Sequence, residues 1–153
     1  LNFLERSEIE GVIITDDVAT TFSYHSSSLY NAASFTLELG KVQKFGENDR
    51  TSFKSIEENL RYLLSGSYLS SEDYPKLKVF EMNIEIIKHD DSFTFSFDEK
   101  LANFSKFEDG ELISTDKTET IRATGNEQRV IFPNPNVKVG ERAALIIGPK
   151  RLP

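Results

Sequence analysis

The spacing of apolar residues changes near residue 75, and the two patterns predict two different folds. Upstream, short apolar runs of strand length alternate with stretches in which apolar residues recur three and four positions apart. This alternation of strand and helix predicts the closing part of a doubly wound α/β sheet over residues 1–74. Downstream, apolar and polar residues alternate singly, which predicts a small all-β, barrel-like domain over residues 75–153. The connector is predicted at residues 67–75, which contain Ser, Asp and Pro.

One amphipathic helix is predicted over residues 51–64. Asn48 and Asp49 are residue types that cap helix N-termini well, and Ser65 with Gly66 is expected to end the helix. Its predicted buried face consists of Phe53, Ile56, Leu60, Leu63 and Leu64. The other upstream elements are predicted to be the end of a helix at residues 1–4, a strand at residues 11–14 and a polar loop at residues 15–23. Residues 22–30, which carry hydroxyls and His25, are interpreted as a serine-rich loop.

Runs with a period of two dominate the sequence after residue 75. Phe93, Phe95 and Phe97 alternate with polar residues, so one face of this strand is expected to pack in a core. Residues 89–91 (HDD) predict a turn, and therefore a hairpin between a strand at residues 77–87 and the phenylalanine-bearing strand. Further strands are predicted at residues 111–114, 119–123, 129–132 and 142–147, with turns at Gly110, Gly125 and Gly140.

Glu38 stands where its own run requires another apolar residue. Residues 33–39 (ASFTLEL), closed by Gly40, are short and mostly apolar, which predicts a strand buried in a parallel sheet. Burial of an unpaired ionised carboxylate is costly, so a buried acid generally serves proton transfer, a metal ion or an ion pair. The alternatives are that Glu38 lies at an exposed end of the strand or pairs with Lys41 or Arg50.

Composition narrows the classes of function. The net charge of −7 without a cluster of Lys and Arg argues against nucleic acid or an anionic membrane surface as the partner. The chain has no cysteine, which excludes disulfides and thiolate metal sites and suits a reducing compartment, with the cytoplasm as the expected location. We expect a small-molecule ligand, and the sequence leaves the oligomeric state open.

Three segments carry a resemblance to a known family: residues 36–41 (TLELGK), 45–49 (FGEND) and 131–135 (IFPNP). In this order and spacing they resemble the succinylglutamate desuccinylase family, of the aspartoacylase-like branch of the zinc carboxypeptidase fold. The resemblance runs from about residue 22 to residue 145. Because members of this family are about twice as long, the sequence is expected to be the C-terminal portion of such an enzyme.

The resemblance implies a role for Glu38 as the group that takes a proton from the attacking water and gives it to the departing amine. It implies zinc as the cofactor, held by a histidine and a glutamate of an H-x-x-E motif and by a later histidine. Neither His25 nor His89 is followed by an acid three residues on, so no metal ligand is expected in this chain. Tyr24 is expected to contact substrate, whereas Ser28 occupies a position where many relatives have arginine.

The activity implied by the resemblance is hydrolysis of N-succinyl-L-glutamate to succinate and L-glutamate, a step of arginine breakdown. The chain alone is expected to be inactive because it lacks the zinc ligands. Two alternatives stay open. One is a sibling deacylase for another N-acyl amino acid, which Ser28 favours. The other is a non-catalytic binding module formed by the β-rich part after residue 75.

Overall fold

The computed structural model describes residues 2–15, 19–40, 43–66, 77–98 and 100–151. These residues form two compact units: the first comprises the described residues of Leu1–Glu10 and Asp16–Leu77, and the second those of Gly11–Thr15 and Lys78–Pro153. The predicted connector at residues 67–75 lies outside the described residues. No helix in the described part of the chain is long and apolar enough to cross a membrane.

The first unit is built from short helices. Helix α1 spans Asn2–Arg6, α2 spans Phe22–Tyr30, and α3 spans Lys54–Leu64, directly after a 3-10 helix at Arg50–Phe53. The helix predicted over residues 51–64 is therefore confirmed. Asp49 caps its 3-10 start and Ser65 is its C-terminal cap, as the sequence indicated.

Helix α2 replaces a predicted loop, so that prediction is wrong for residues 22–30. Thr21 begins the helix because its hydroxyl accepts a hydrogen bond from the Tyr24 N–H at 3.3 Å. Asn31 ends it in the left-handed conformation, with φ at 51°. Serine side chains usually favour turns over helix interiors, so the run of serines in α2 did not predict a helix. The cap residues Thr21 and Asn31 are the local pattern that would have predicted one.

The predicted buried face of α3 is only partly correct. Ile56 is buried and Phe53 is half-buried. In contrast, Leu60, Leu63 and Leu64 are 42%, 60% and 85% exposed. The helix has the expected apolar stripe, but the described residues cover only its N-terminal end.

The strand predicted at residues 33–39 is not formed, and that prediction is wrong for this structure. Residues 31–39 have an irregular backbone, and no backbone hydrogen bond joins residues 33–40 to another described residue. A strand is stable only beside another strand that satisfies its N–H and C=O groups. Both sheets of the described structure belong to the second unit, so this segment has no such neighbour.

The second unit contains two sheets. Its strands are β1 at Gly11–Ile14, β2 at Lys78–Ile87, β3 at Thr94–Phe95, β4 at Leu112–Thr115, β5 at Thr120–Arg122, β6 at Arg129–Ile131 and β7 at Arg142–Pro149. One sheet has the order β1-β2-β7-β6, with β1 parallel to β2, and the other has the order β3-β4-β5. The strands predicted in these regions are confirmed, and the fold is of the mixed α/β class.

The predicted hairpin between β2 and β3 is wrong. The turn exists, since the Asp90 carboxylate accepts a hydrogen bond from the Ser92 N–H at 2.6 Å. The two strands nevertheless belong to different sheets. Strand β2 pairs with β1 along residues 78–81 on one edge and with β7 on the other, whereas β3 pairs with β4.

The predicted phenylalanine face is confirmed. Phe93 is buried, Phe95 and Phe97 are half-buried, and the intervening polar residues are exposed. The rings of Phe93 and Phe95 lie 5.0 Å apart, and those of Phe95 and Phe97 lie 4.7 Å apart. They pack on a core formed by Ile86, Phe107, Ile113, Ala123, Val130, Ala143, Ala144 and Ile146. This core lies within the second unit.

Candidate active-site groove

A shallow groove of about 400 Å³ lies in the first unit and contains Glu38 at its wall. We call it the Glu38 groove. Its lining residues are Ser7, Glu8, Ile9, Glu38, Leu39, Gly40, Gln43, Asn48, Asp49, Ser52, Phe53, Ser55 and Ile56. The groove therefore brings together two of the three segments that carry the family resemblance, around residues 36–41 and 45–49.

Glu38 is exposed, so the prediction that it lies in a buried strand is wrong for this structure. The physical reason is that no strand of the described residues lies beside this segment, so most of it, including Glu38, is at the surface. Arg50, one of its predicted ion-pair partners, instead lies 3.4 Å from the Glu57 carboxylate. The other predicted partner, Lys41, lies outside the described residues. Exposure at a groove wall leaves the carboxylate accessible to a ligand.

Asn59 holds two walls of the groove together. Its side chain is buried on α3 and donates hydrogen bonds to the Phe3 carbonyl at 3.2 Å and to the Ser7 hydroxyl at 2.9 Å. Its carbonyl oxygen accepts a hydrogen bond from Nε of Arg6 at 3.2 Å. Since Ser7 lines the groove at the end of α1, Asn59 fixes this wall against α3. Asn59 is polar, so the helical spacing of apolar residues in α3 does not predict its role.

Glu8 is a second carboxylate in the groove, and the sequence analysis did not single it out. It directly follows the buried Ser7 and has a positive φ of 58°, a conformation that residues with a Cβ adopt rarely. One of its carboxylate oxygens accepts a hydrogen bond from the Ser55 hydroxyl at 2.6 Å. Together with Asp49, the groove thus contains three acids on different segments, of which Glu8 is hydrogen-bonded to α3.

Asp49 closes the groove next to α3 and has the structural role that the sequence indicated. Its Oδ1 accepts hydrogen bonds from the hydroxyl and the N–H of Thr51, at 2.7 and 3.0 Å. These bonds, with the side chain of Thr51 contributing most, hold the pKa of the Asp49 carboxyl below its ordinary value. Asp49 therefore stays ionised at the start of the helix.

Tyr24 and Ser28, the other candidate substrate-site residues, lie on α2 and are not among the residues that line the Glu38 groove. Tyr24 is half-buried, and its ring meets the His25 ring edge-on at 5.8 Å between centroids. Ser28 is exposed. The role of Tyr24 in substrate binding stays a prediction.

The described residues do not fit a zinc site. Among them, no group of three His, Cys, Asp or Glu side chains is close enough to hold a metal ion, whereas a catalytic zinc generally needs three protein ligands. His25 is exposed on α2, and His89 is exposed with its Nε2 3.6 Å from the Glu119 carboxylate. We therefore assign no step of chemistry to a metal held by these residues.

The third resemblance segment, at residues 131–135, forms a turn in the second unit. The Asn134 side chain accepts a hydrogen bond from the Asn136 N–H at 3.0 Å, and the Asn134 N–H donates to the Ala143 carbonyl at 2.8 Å. Asn103 holds the start of the turn by accepting a bond from the Phe132 N–H at 2.8 Å. Pro133 and Pro135 suit this turn because proline has no N–H to donate to a neighbouring strand.

Comparison with known proteins identifies the family. Residues 75–150 match the AstE/AspA barrel-sandwich hybrid domain. The whole chain is 41% identical to the succinylglutamate desuccinylase of Chromobacterium violaceum, of which it covers 46%. It is 36% identical over 99% of its length to the succinylglutamate desuccinylase of Pseudoalteromonas atlantica, of which it covers 44%.

Solved structures give the same result. The crystal structure of the C. violaceum succinylglutamate desuccinylase matches 99% of the chain with a TM-score of 0.81 and 40% identity, and the chain covers 45% of it. The Vibrio parahaemolyticus enzyme matches 98% of the chain with a TM-score of 0.86 and 29% identity, and the chain covers 44% of it.

Residues 75–150 therefore belong to the AstE/AspA barrel-sandwich hybrid domain family, and the relatives that match the chain along its whole length are succinylglutamate desuccinylases. The resemblance drawn from three short sequence segments is confirmed. The chain spans less than half the length of these relatives.

Proposed function

We propose that this chain is the C-terminal portion of a succinylglutamate desuccinylase and carries its general acid–base glutamate. The complete enzyme would hydrolyse the amide of N-succinyl-L-glutamate to succinate and L-glutamate in the cytoplasm, as part of arginine breakdown. The observation that carries this proposal is the 41% identity to a succinylglutamate desuccinylase over the entire chain. The position of Glu38 at a groove wall supports its part in the reaction.

In the proposed reaction, the Glu38 carboxylate accepts a proton from the attacking water as the oxygen bonds to the amide carbon. When the C–N bond breaks, Glu38 returns the proton to the departing nitrogen, which leaves as the amine of glutamate. Both transfers require hydrogen-bond distances that are held closely. Glu8, anchored by Ser55, would keep the other side of the groove negative, so a substrate carboxylate is expected to bind elsewhere.

For the complete enzyme, we propose that residues 1–74 contribute to a zinc-carboxypeptidase-like doubly wound sheet. Residues 75–153 would form a barrel-like domain. Zinc remains an expectation from the family resemblance, and its ligands would have to come from residues other than those described. This proposal also accounts for described residues that include the proposed acid–base glutamate but no group of side chains able to hold a metal ion.

The test is Glu38→Gln in a complete desuccinylase that contains this chain. Glutamine keeps the size of the side chain but cannot carry the proton, so turnover should fall by roughly 100-fold or more. The matched control is Glu47→Gln, since Glu47 is an exposed acid of the neighbouring loop that does not line the groove. Release of glutamate is measured, with zinc content and circular dichroism expected to be unchanged in both variants. Near wild-type turnover of Glu38→Gln would rule out the assigned role.

A sibling deacylase is the second candidate, and Ser28 is the observation that favours it. The succinylglutamate substrate has three carboxylates, which arginine binds well because its guanidinium forms paired hydrogen bonds. Ser28 is exposed on α2 and cannot supply such a group. Comparing hydrolysis of succinylglutamate with that of acetylaspartate by the complete enzyme separates the two candidates.

A further inference from the structure

A second groove, of about 490 Å³, lies within the second unit, and its lining is rich in side-chain amides. We call it the amide groove. Its lining residues are Asn83, Ile84, Thr124, Gly125, Asn126, Glu127, Gln128, Gly148 and Pro149. Small-molecule sites typically have volumes of roughly 300–1,000 Å³, so this groove is large enough for one. None of its residues lines the Glu38 groove.

Gln128 is the buried polar side chain of the amide groove. It directly precedes β6 and is only 6% exposed. Its Oε1 accepts a hydrogen bond from the Thr124 N–H at 2.8 Å, which fixes the other branch of the amide as the nitrogen. This Nε2 has no hydrogen-bond partner among the described residues. The one fully enclosed side-chain atom without a partner in the described chain is Nε of Arg129, so Nε2 of Gln128 opens to the groove. A buried polar group generally has a partner, and this donor is available to a ligand.

A β-bulge places Asn83 in the same groove. The pairing of β2 with β7 shifts between Met82 and Ile84, so Asn83 is the extra residue of the bulge. Its amide lies over the backbone of β7, because a Cβ on Gly148 would overlap with it. The Asn83 side chain makes no hydrogen bond within the described structure, so its N–H and C=O groups are both free for a ligand.

The opposite wall, residues 124–128, is held in place before any ligand binds. The Asn126 Oδ1 accepts a hydrogen bond from the Asp109 N–H at 2.8 Å, and the Asp109 Oδ1 accepts one from the Gly125 N–H at 2.7 Å. These reciprocal bonds leave the amide nitrogen of Asn126 free. A wall that is already fixed loses little conformational entropy on binding, which favours affinity.

Charge and hydrogen-bonding capacity narrow the class of ligand. Glu127 is the one charged residue among the described lining residues, and its Oε1 lies 2.9 Å from Nζ of Lys106. The hydrogen bond from Lys106 and its positive charge hold the pKa of the Glu127 carboxyl below its ordinary value, so it stays ionised. An anion would be repelled, and a cation would compete with Lys106. The free groups include the donors of Gln128 and Asn126 and both a donor and an acceptor on Asn83, a mixture that hydroxyl groups match because each can donate and accept.

We propose that the amide groove binds a neutral, hydroxyl-rich small molecule of the sugar class. Hydroxyl oxygens of this ligand accept hydrogen bonds from the amide nitrogens of Gln128 and Asn83, and a hydroxyl hydrogen is donated to the Asn83 carbonyl. Ile84 and Pro149 offer apolar surface for the C–H groups of the ring. This site is separate from the Glu38 groove, and the inference does not depend on the proposed function.

The test is an NMR titration of a complete desuccinylase that contains this chain with glucose, galactose and mannose. At least one hexose should shift the side-chain NH₂ signals of Gln128 and Asn83 saturably, with a dissociation constant of roughly 1–10 mM. Asn83→Ala should weaken this binding by about fivefold or more, since it removes both groups of the amide. The matched control is Asn136→Ala, an exposed asparagine of the second unit that does not line the groove. Its binding should stay within about twofold of wild type.

Two further measurements test the assigned chemistry. Gln128→Glu keeps an acceptor for the Thr124 N–H but replaces the donor in the groove, and it should weaken binding by about fivefold or more. If this variant does not fold, Asn83→Ala decides, because the exposed Asn83 side chain has no partner to lose in the described structure. The uronate of each hexose, which differs by one carboxylate, should bind about fivefold or more weakly than the hexose itself.

The proposal is overturned if no hexose binds saturably below about 50 mM, if Asn83→Ala binds as well as wild type, or if the uronates bind as tightly as the hexoses. Hydrolysis of succinylglutamate should be unchanged in Asn83→Ala, and its loss would overturn the assignment of a separate site. A wild-type enzyme that binds a hexose but does not hydrolyse succinylglutamate refutes the proposed function and supports the sugar site.

Discussion

Asn59→Ala tests whether one buried amide holds the walls of the Glu38 groove. The substitution removes two hydrogen bonds donated by the amide nitrogen, to the Phe3 carbonyl and the Ser7 hydroxyl, and one accepted from Arg6. The backbone of α3 is left intact, and alanine favours a helix more than asparagine does. Any loss of stability therefore comes from the tertiary contacts.

The expected loss of stability depends on which hydrogen bonds each partner of Asn59 keeps. The Phe3 carbonyl retains two donors, the N–H and the hydroxyl of Ser7, at 3.1 and 2.7 Å. Ser7 and Arg6 lose a partner. Three net hydrogen bonds at about 1 kcal/mol each give about 3 kcal/mol. The better helix propensity of alanine returns about 0.6 kcal/mol, so we expect a loss of about 2 kcal/mol or slightly more.

Hydrogen exchange of the α3 amides measures this loss locally, without requiring that both units unfold together. A decrease of about 2 kcal/mol in the free energy of opening corresponds to roughly 30-fold faster exchange. The control is Glu58→Ala at the adjacent, exposed position. It removes only an ion pair to Lys54 at 3.7 Å and should change exchange by less than about threefold.

Equal exchange rates in Asn59→Ala and in wild type would refute the reasoning, because the buried amide would then contribute nothing to the association of α1 with α3. Faster exchange throughout the second unit would contradict it in another way. The hydrogen bonds of Asn59 are all made to α1 and to the residue directly after it. An effect on the sheets would mean that the substitution acts through general unfolding.

Three further substitutions test local geometry, two in the second unit and one in the first. Gly11→Ala should destabilise the second unit by about 1–3 kcal/mol in thermal unfolding, because its Cβ would lie 3.0 Å from a ring carbon of the buried Phe80. Gly148→Ala should cost less, since its Cβ would meet only the end of an asparagine side chain that can rotate away. Thr51→Val should raise the pKa of Asp49 towards its ordinary value in an NMR titration. The pKa of Asp49 is lowered in the folded state, so its carboxylate stabilises the fold at pH values above its unfolded pKa. This contribution is lost as the pH falls through the folded pKa. Thr51→Val reduces the contribution, so the variant should lose less stability in acid than wild type.

The sequence predicted the second unit well because its strands find their partners nearby in the same unit. The strand at residues 142–147 appears as β7, which pairs with β2 on one side and with β6 on the other. The alternation of Phe93, Phe95 and Phe97 correctly gave the buried face. The error was the pairing of β2 with β3, since a period-two pattern specifies which face is buried but not which strand lies beside it.

The first unit was predicted less well, and the reasons differ between elements. Helix α2 was missed because its serines carry no apolar periodicity, although Thr21 and Asn31 are good cap residues at its two ends. Glu8 was missed because its role depends on a positive φ and on Ser55, a residue 47 positions away in sequence. Long-range contacts of this kind leave no local pattern in the sequence.

The two remaining errors in the first unit are both predictions of burial. Residues 33–39 and the leucines at the end of α3 (Leu60, Leu63 and Leu64) were both predicted to be buried, and most of these side chains are exposed in the described structure. The rules that failed here are the ones that placed the buried faces of the second unit correctly, so the rules themselves are not at fault. The difference between the units is that each strand of the second unit has a neighbouring strand, whereas no strand of the described residues lies beside residues 33–39.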